Sequence, residues 1–216
     1  MRQPGRMRFN NLVAAFLGLA LVSCDSLTAD RFYPVDEDST TGFAIYRSNQ
    51  PDSAMLKQWC AAGITEIFAL NGEASKYEQE LKKVCPTAKV VYNVAQDADS
   101  PTDAGFLAQF DQSVEQAKLS GGHVLIHCSC GCHRTGRLAA YYRMKYNDWT
   151  AEHAIQEMNQ IGDFMAMHPS LPAQVRGMDD FIHARACDET YAKQDMCVQP
   201  APASLPAKPI DKVAQK

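Results

Sequence analysis

His123-Val124-Leu125-Ile126-His127-Cys128-Ser129-Cys130-Gly131-Cys132-His133-Arg134-Thr135-Gly136 is the stretch on which the reading of this chain turns. A hydrophobic strand over 123–127 is followed by a short loop, 128–134, and then by a helix predicted at 135–147. A loop in that position can curl so that successive backbone N–H groups point inward and make an anion-binding nest. The following helix adds its N-terminal partial positive charge at the same point. Gly131, in mid-loop, supplies the positive φ that such a curl requires.

Within this cradle Cys128 is expected to sit near the positive helix end and Arg134. That field favours thiolate over thiol, with an expected pKa lowered to about 3.5–7.5. The planar fork of Arg134 suits two equatorial phosphate oxygens, a geometry that lysine cannot reproduce. Uncatalysed hydrolysis of phosphate monoesters is extremely slow. Dividing it through a covalent phosphocysteine, in a site matched to the transition state, is a sound physical route.

Working outward, strands and helices alternate from Phe43 onward. Strands are predicted at 43–47, 64–70 and 89–94, in addition to 123–127. Helices are predicted at 52–62, 73–84, 102–119, 150–161 and 171–186, in addition to 135–147. Thr150 is the expected cap of the 150–161 helix. The pattern implies an α/β fold with a central, mostly parallel sheet flanked by helices. Ligands in such sheets bind beyond the carboxyl ends of the strands, which is where the 128–134 loop lies.

The 216 residues fit one domain with accessory ends. Arg2, Arg6 and Arg8 followed by the apolar run Leu12–Val22 read as a secretory signal, too short for a comfortable membrane span. Leu21-Val22-Ser23-Cys24 resembles the lipobox of bacterial lipoproteins, which implies cleavage before Cys24 and lipidation of that residue. Asp25 resembles an inner-membrane retention signal of Gram-negative bacteria. The expected division is signal peptide 1–23, lipidated tether 24–41, catalytic domain 42–187, and a Pro/Ala-rich, mostly disordered tail 188–216. Loss of the three signal-peptide arginines takes the formal charge from −4 to −7. So acidic a domain has no nucleic-acid footprint, and any cationic site in it must be local.

Of eight cysteines, Cys24 is assigned to the anchor and Cys128, Cys130 and Cys132 to the loop. Cys60, Cys85, Cys187 and Cys197 remain, an even number in an exported protein. Pairing 60 with 85 and 187 with 197 is one solution; buried free thiols are the alternative for the first pair, and spacing does not fix connectivity.

The loop resembles that of the Cys-x5-Arg protein-tyrosine and dual-specificity phosphatases, above all the His-Cys-x-x-Gly-x-His-Arg-Thr-Gly form of the atypical dual-specificity type. The resemblance extends to Ala44-Ile45-Tyr46-Arg47-Ser48-x-x-Pro51 and covers about residues 42–186. It implies a dual-specificity phosphatase-like fold, needing no cofactor and no metal. Cys128 is then the nucleophile, Arg134 the phosphate clamp, Thr135 a hydroxyl assisting the thiolate, and His127 a residue steadying the loop. Ser129, Cys130, Gly131, Cys132, His133 and Arg134 line the phosphate site. The family's general acid stands about thirty residues before the nucleophile, often before a proline turn. Asp97-Ala98-Asp99-Ser100-Pro101 matches, with Asp97 preferred, Asp99 close behind, and Asp103 assigned to a helix start.

The same residues admit other readings. His127, Cys128, Cys130, Cys132 and His133 are donors suited to zinc or copper, in a periplasmic metal- or thiol-handling lipoprotein. That reading leaves Arg134-Thr135-Gly136 unexplained. A nucleotide P-loop is excluded because Gly136-Arg137-Leu138 stands where Gly-Lys-Ser/Thr is required. Relatives acting on inositol phosphates carry Lys or Arg inside the loop, whereas Ser129, Cys130 and Cys132 stand here. Only His133 could add charge, below about pH 6.5. The expected partner is therefore a phosphorylated protein or small phosphomonoester, phosphotyrosine before inositol phosphates. A disulfide from Cys128 to Cys130 or Cys132 would block catalysis reversibly. His153, His168 and His183 lack partners at ligand spacing and read as surface or satisfied core, and Trp59 reads as an ordinary hydrophobe at a helix boundary.

Overall fold

The structure, a computed structural model, describes residues 31–201. The signal-peptide and Cys24 assignments, the first part of the tether and residues 202–216 lie outside the described residues.

Among the described residues five strands form one mixed sheet: β1 (Phe32–Asp38), β2 (Phe43–Ser48), β3 (Ile64–Ala69), β4 (Lys89–Asn93) and β5 (His123–His127). Their order is β1-β2-β5-β3-β4, with β1 antiparallel to β2 and the other neighbours parallel. Seven α-helices of the described residues accompany them: α1 (Ser53–Ala61), α2 (Glu78–Val84), α3 (Ala104–Ser120), α4 (His133–Tyr146), α5 (Ala151–Ile161), α6 (Leu171–Ile182) and α7 (Glu189–Ala192). The α/β architecture read from the alternation is the one observed. α4 starts at His133, two residues earlier than the pattern suggested, so the connecting loop is shorter and tighter.

The two-residue period of the strands divides the core. Val124 and Ile126 of β5 join Phe43, Ile45 and Phe68 against α3, α4, α5 and α6. Leu125 faces the other way, with Ile64, Ile67 and Ala69, against Met55, Leu56 and Trp59 of α1 and Leu81 of α2. Trp59 is completely buried, beyond what a helix-boundary hydrophobe implies. Each fully buried large side chain of this kind contributes ~1.5–3 kcal/mol.

Helix ends follow local chemistry. Asp52 accepts from Met55 N at 2.8 Å, and Asp103 accepts from Phe106 N at 2.8 Å. Thr150 caps α5 as expected, accepting from His153 N at 3.3 Å.

Two segments depart from the expected tether and tail. Residues 32–38 are an edge strand. Its acids look like a solvated linker, but Val35 is buried, Phe32 stacks on Tyr46 at 5.1 Å, and Asp36 accepts from Tyr142 Oη at 2.7 Å. Acids and a bulge next to Pro34 are what protects an edge from further pairing. At the other end, residues 188–199 are ordered. Cys187 and Cys197 are joined (Cα–Cα 6.0 Å), and Gln199 bonds both Thr102 O at 3.0 Å and Ala104 N at 2.8 Å. Cys60 and Cys85 form the second bridge, Cα–Cα 5.2 Å, between α1 and the end of α2.

Candidate active site

The parallel strands β2, β3, β4 and β5 all end on one side, and the loops that follow them meet there. The segment 128–132 leaves β5 and enters α4. Gly131 adopts φ +71°, as its place in the loop required. A Cβ on it would lie 2.7 Å from Ser48 O and 2.9 Å from Asn49 N, so the loop is pressed against the exit of β2. Two contacts from that exit pull loop carbonyls outward: Gln50 N donates to Ser129 O at 3.1 Å, and Arg47 Nη2 donates to Gly131 O at 2.7 Å. In a trans peptide the next N–H then points the opposite way, into the cradle. Among the described residues, the amides of Ser129, Cys130, Gly131 and Arg134 make no hydrogen bond. Unpartnered amides in such a loop are what an anion nest requires.

Cys128 is fully buried at the base of the loop, on the same sheet face as Ile126. Thr135 is buried beside it. Its Oγ1 has no other partner among the described residues, and its hydroxyl and amide both favour the thiolate. Arg134, half-buried, sends Nη2 to Ser129 Oγ at 3.4 Å and Nη1 to Leu70 O and Gln96 O at 3.4 and 3.3 Å. These bonds are long, and all go to neutral acceptors, so an anion in the cradle can recruit the guanidinium at little cost.

The expected low pKa of Cys128 is not what this arrangement gives. The Cys130 thiol, with burial, pushes Cys128 up to about 12, against the pull of Thr135. The three sulfurs compete for one negative charge. Cys132 is held down to about 7, first by the Cys130 thiol and also by Arg31, whose Nη1 lies 3.1 Å from Cys132 Sγ. Cys130 Sγ also accepts from Cys132 N at 3.1 Å, and so takes up one of the inward amides.

His127 lies on the opposite sheet face. Its Nε2 meets Tyr77 Oη at 2.7 Å and its ring packs 5.4 Å from Trp59, in a burial that lowers its pKa to about 4. It steadies the strand end as a neutral group, through Leu70 N on His127 O at 2.8 Å as well. This placement separates His127 from the loop thiols, so the five donors of the metal reading do not all converge.

His133 bonds Asp163 O through Nε2 at 2.9 Å, and its ring lies 4.1 Å from that of His168. Burial lowers its pKa, so it adds less charge to the cradle than its ordinary value suggested. His168 is satisfied: its Nδ1 lies 3.0 Å from Asp99 Oδ2, so through His133 it links the 128–134 loop to the segment after β4.

Asp97 and Asp99 stand on the segment after β4, which reaches the cradle through Gln96 O on Arg134. Neither carboxylate bonds to the 128–134 loop. Asp97 accepts from Asp99 N at 3.0 Å and Ser100 Oγ at 2.8 Å, which hold it below the usual carboxylate range. Asp99 accepts from His168 and from Ser170 Oγ at 3.1 Å. Asp103 is the cap of α3.

Sequence reasoning gave no role to Arg47, Arg137 or Gln174, which are 2%, 2% and 1% exposed. A signal existed for Arg47. Its place after Phe43 and Ile45 in the two-residue period puts a charge on the core face, where it must find acceptors.

The dual-specificity phosphatase catalytic-domain family model matches residues 45–179. Dual specificity protein phosphatase TpbA of Pseudomonas aeruginosa is 37% identical over 91 residues, 41% of this chain and 40% of that protein. Dual specificity protein phosphatase 22-B of Danio rerio is 30% identical over 103 residues, 46% of this chain and 51% of that protein. The chain therefore aligns with about half or less of the length of these curated relatives. The crystal structure of P. aeruginosa TpbA superposes with a TM-score of 0.54 at 25% identity, covering 70% of this chain and 95% of that one. TpbA has also been crystallised in complex with pTyr.

Proposed function

The chain belongs to the dual-specificity phosphatase family, and on that premise we propose that it is a cysteine-dependent phosphomonoester hydrolase acting through a phosphocysteine. The observation that supports the reading is the set of unpartnered amides at Ser129, Cys130, Gly131 and Arg134, in a loop whose Gly131 and Ser129 carbonyls are held by Arg47 and Gln50. Such fixed donors stabilise charge as it develops on a transferring phosphoryl group.

In this mechanism Cys128 passes its proton to an oxygen of the bound phosphate dianion and attacks phosphorus as the thiolate, which Thr135 favours. The S–P bond forms as the bond to the leaving oxygen breaks, and that oxygen takes a proton from a carboxylic acid. Arg134 turns from its carbonyl contacts onto two equatorial oxygens. Water then cleaves the S–P bond, with the carboxylate as base and Thr135 stabilising the departing thiolate. We assign the acid to Asp97. Its partners belong to its own exposed turn, whereas Asp99 is engaged by His168 and Ser170. A phosphate dianion in the cradle opposes the ionised carboxylate and raises its proton affinity.

The substrate class is phosphotyrosine or a similar monoester, because Ser129, Cys130 and Cys132 add no fixed cation to the loop. The pTyr complex of TpbA supports that choice. For location, Leu21-Val22-Ser23-Cys24 supports a lipid anchor at Cys24. Asp25 supports the periplasmic face of a Gram-negative inner membrane, and the two disulfides fit an oxidising compartment. Replacement of Cys24 by Ala is expected to abolish palmitate labelling and release the protein from membranes; retained labelling would refute the anchor.

The test of activity is p-nitrophenyl phosphate hydrolysis by the reduced protein and by Cys128→Ser, with and without chelator. Turnover insensitive to chelator and lost in Cys128→Ser is expected. Activity that survives in Cys128→Ser, or that chelator removes, contradicts the proposal.

A further inference from the structure

The segment 96–100 is exposed at its carboxylates but strapped from beneath by two buried side chains. Arg137, from the first turns of α4, donates Nη1 to Ser100 O at 2.6 Å and Nη2 to Gln96 Oε1 at 2.9 Å. Gln174, from α6, donates Nε2 to Ala98 O at 2.9 Å, while its Oε1 accepts from Arg137 Nη1. Three successive points of the loop (96, 98 and 100) thus hang on one buried amide–guanidinium pair. The two carboxylates at 97 and 99 alternate with the anchored positions and are exposed.

The helix that carries Arg137 is the one whose first turn carries Arg134 and Thr135, three and two residues earlier. A displacement of the phosphate loop is therefore transmitted to the acid-bearing loop through a single rigid element. A buried guanidinium is costly unless its donors are used. Here they are used on the loop's backbone and on Gln96 and Gln174, and no acidic side chain hydrogen-bonds to it. A core arginine spent on neutral loop acceptors has a geometric purpose: its fork fixes where the loop sits.

We propose that Arg137 and Gln174 are positioning residues that hold the 96–100 loop, and with it the proton-donating carboxylate, at the mouth of the Cys128 cradle. The inference rests on the phosphatase reading above and extends it to residues that touch no substrate. The step they serve is the passage of the carboxylic proton to the leaving oxygen as its bond to phosphorus breaks. Formation of the S–P bond and the Arg134 clamp do not depend on them. Their loss must therefore appear in proportion to how much the leaving group needs a proton.

The experiment measures kcat/KM of wild type, Arg137→Met and Gln174→Leu on phenyl phosphate and on 2,4-dinitrophenyl phosphate, whose leaving group needs almost no protonation. General acids contribute on the order of 10²–10⁴-fold. The expected loss for Arg137→Met is at the lower end of that range on phenyl phosphate, and only a few-fold on the dinitrophenyl ester. Gln174→Leu shows the same selective loss at about a tenth of the size, and Arg137→Lys recovers part of it. In an Asp97→Asn, Asp99→Asn background, Arg137→Met adds no further selective loss, since residues acting through one group are not additive.

Equal losses on both esters would overturn the proposal, because a merely structural defect lowers all substrates together. Should Arg137→Met lack a cooperative thermal transition, Gln174→Leu, a neutral replacement, decides by the same criterion. If wild type hydrolyses neither ester, the phosphatase reading itself fails, an outcome distinct from either.

Discussion

Replacing Gly131 by alanine probes the link between loop geometry and chemistry most sharply. The residue adopts φ +71°, where an L-residue costs ~1–2 kcal/mol relative to glycine. The new Cβ would stand 2.7 Å from Ser48 O, 2.8 Å from Ser48 C and 2.9 Å from Asn49 N. Ordinary contacts lie near ~3.5 Å, so the loop or the β2 exit must retreat by roughly 0.6 Å or more. That retreat strains the Gly131 O bond to Arg47 and the Ser129 O bond to Gln50, each worth about 1 kcal/mol or more. A total of ~2–4 kcal/mol corresponds to a melting point lower by roughly 5–15 °C for a domain of this size. A displacement of that order at the reacting centre costs on the order of 100-fold in rate. Thermal unfolding followed by far-UV circular dichroism, with kcat/KM and inhibition by inorganic phosphate measured at 20 °C, reads both effects. A variant that melts with wild type and keeps kcat/KM within about twofold would refute the claim that the outward carbonyls and inward amides depend on this glycine.

Other perturbations separate the remaining parts of the account. Cys130→Ala removes the thiol that raises Cys128 and frees the Cys132 amide, so alkylation of Cys128 by iodoacetamide, mapped by peptide mass, is expected to begin at lower pH than in wild type; an unchanged profile contradicts it. Asp97→Asn is expected to slow phenyl phosphate turnover on the order of 100-fold and to spare phosphate binding; full activity there with a dead Asp99→Asn moves the acid role to Asp99. His127 is lowered from 6.5 to about 4 by burial, so the unfolded chain takes up its proton first and stability declines as pH falls from about 6.5 to about 4, by up to ~3 kcal/mol. His127→Gln should flatten that part of a denaturant midpoint against pH curve, and an undiminished slope counts against the buried neutral imidazole. Cys197→Ser opens a bridge across 10 positions that clamps Gln199 to the start of α3, a loss of ~2–3 kcal/mol by loop-closure entropy, and equal chemical stability of the two proteins would show that the clamp contributes nothing.

Much of the fold was legible because its signals are local. The apolar run before Cys128, the glycine at 131 and the aspartate at 103 each act within a few residues, and each is found in the role its chemistry suggested. What escaped was long-range. β1 is a strand only because β2 lies beside it, and its Asp36 is satisfied by Tyr142 and Asn147, more than a hundred residues away. Arg137 and Gln174 meet over 37 residues, and His168 reaches Asp99 over 69, so neither contact leaves a mark at helical or strand spacing. The Cys128 titration was misjudged for a related reason. The helix end and Arg134 were weighed, but the sequence does not show that the Cys130 sulfur turns inward toward the same spot instead of out to solvent.

The central claim is that one sulfur, at the base of a ring of amides, becomes bonded to phosphorus during turnover. Rapid acid quenching of an Asp97→Asn, Asp99→Asn protein turning over 2,4-dinitrophenyl phosphate, followed by peptide mass mapping, observes that bond directly. The account predicts a phosphoryl adduct on the peptide carrying Cys128, absent when Cys128 is replaced by Ala. An adduct that survives that replacement on His133 or Cys132, or turnover with no adduct at any quench time, would contradict it.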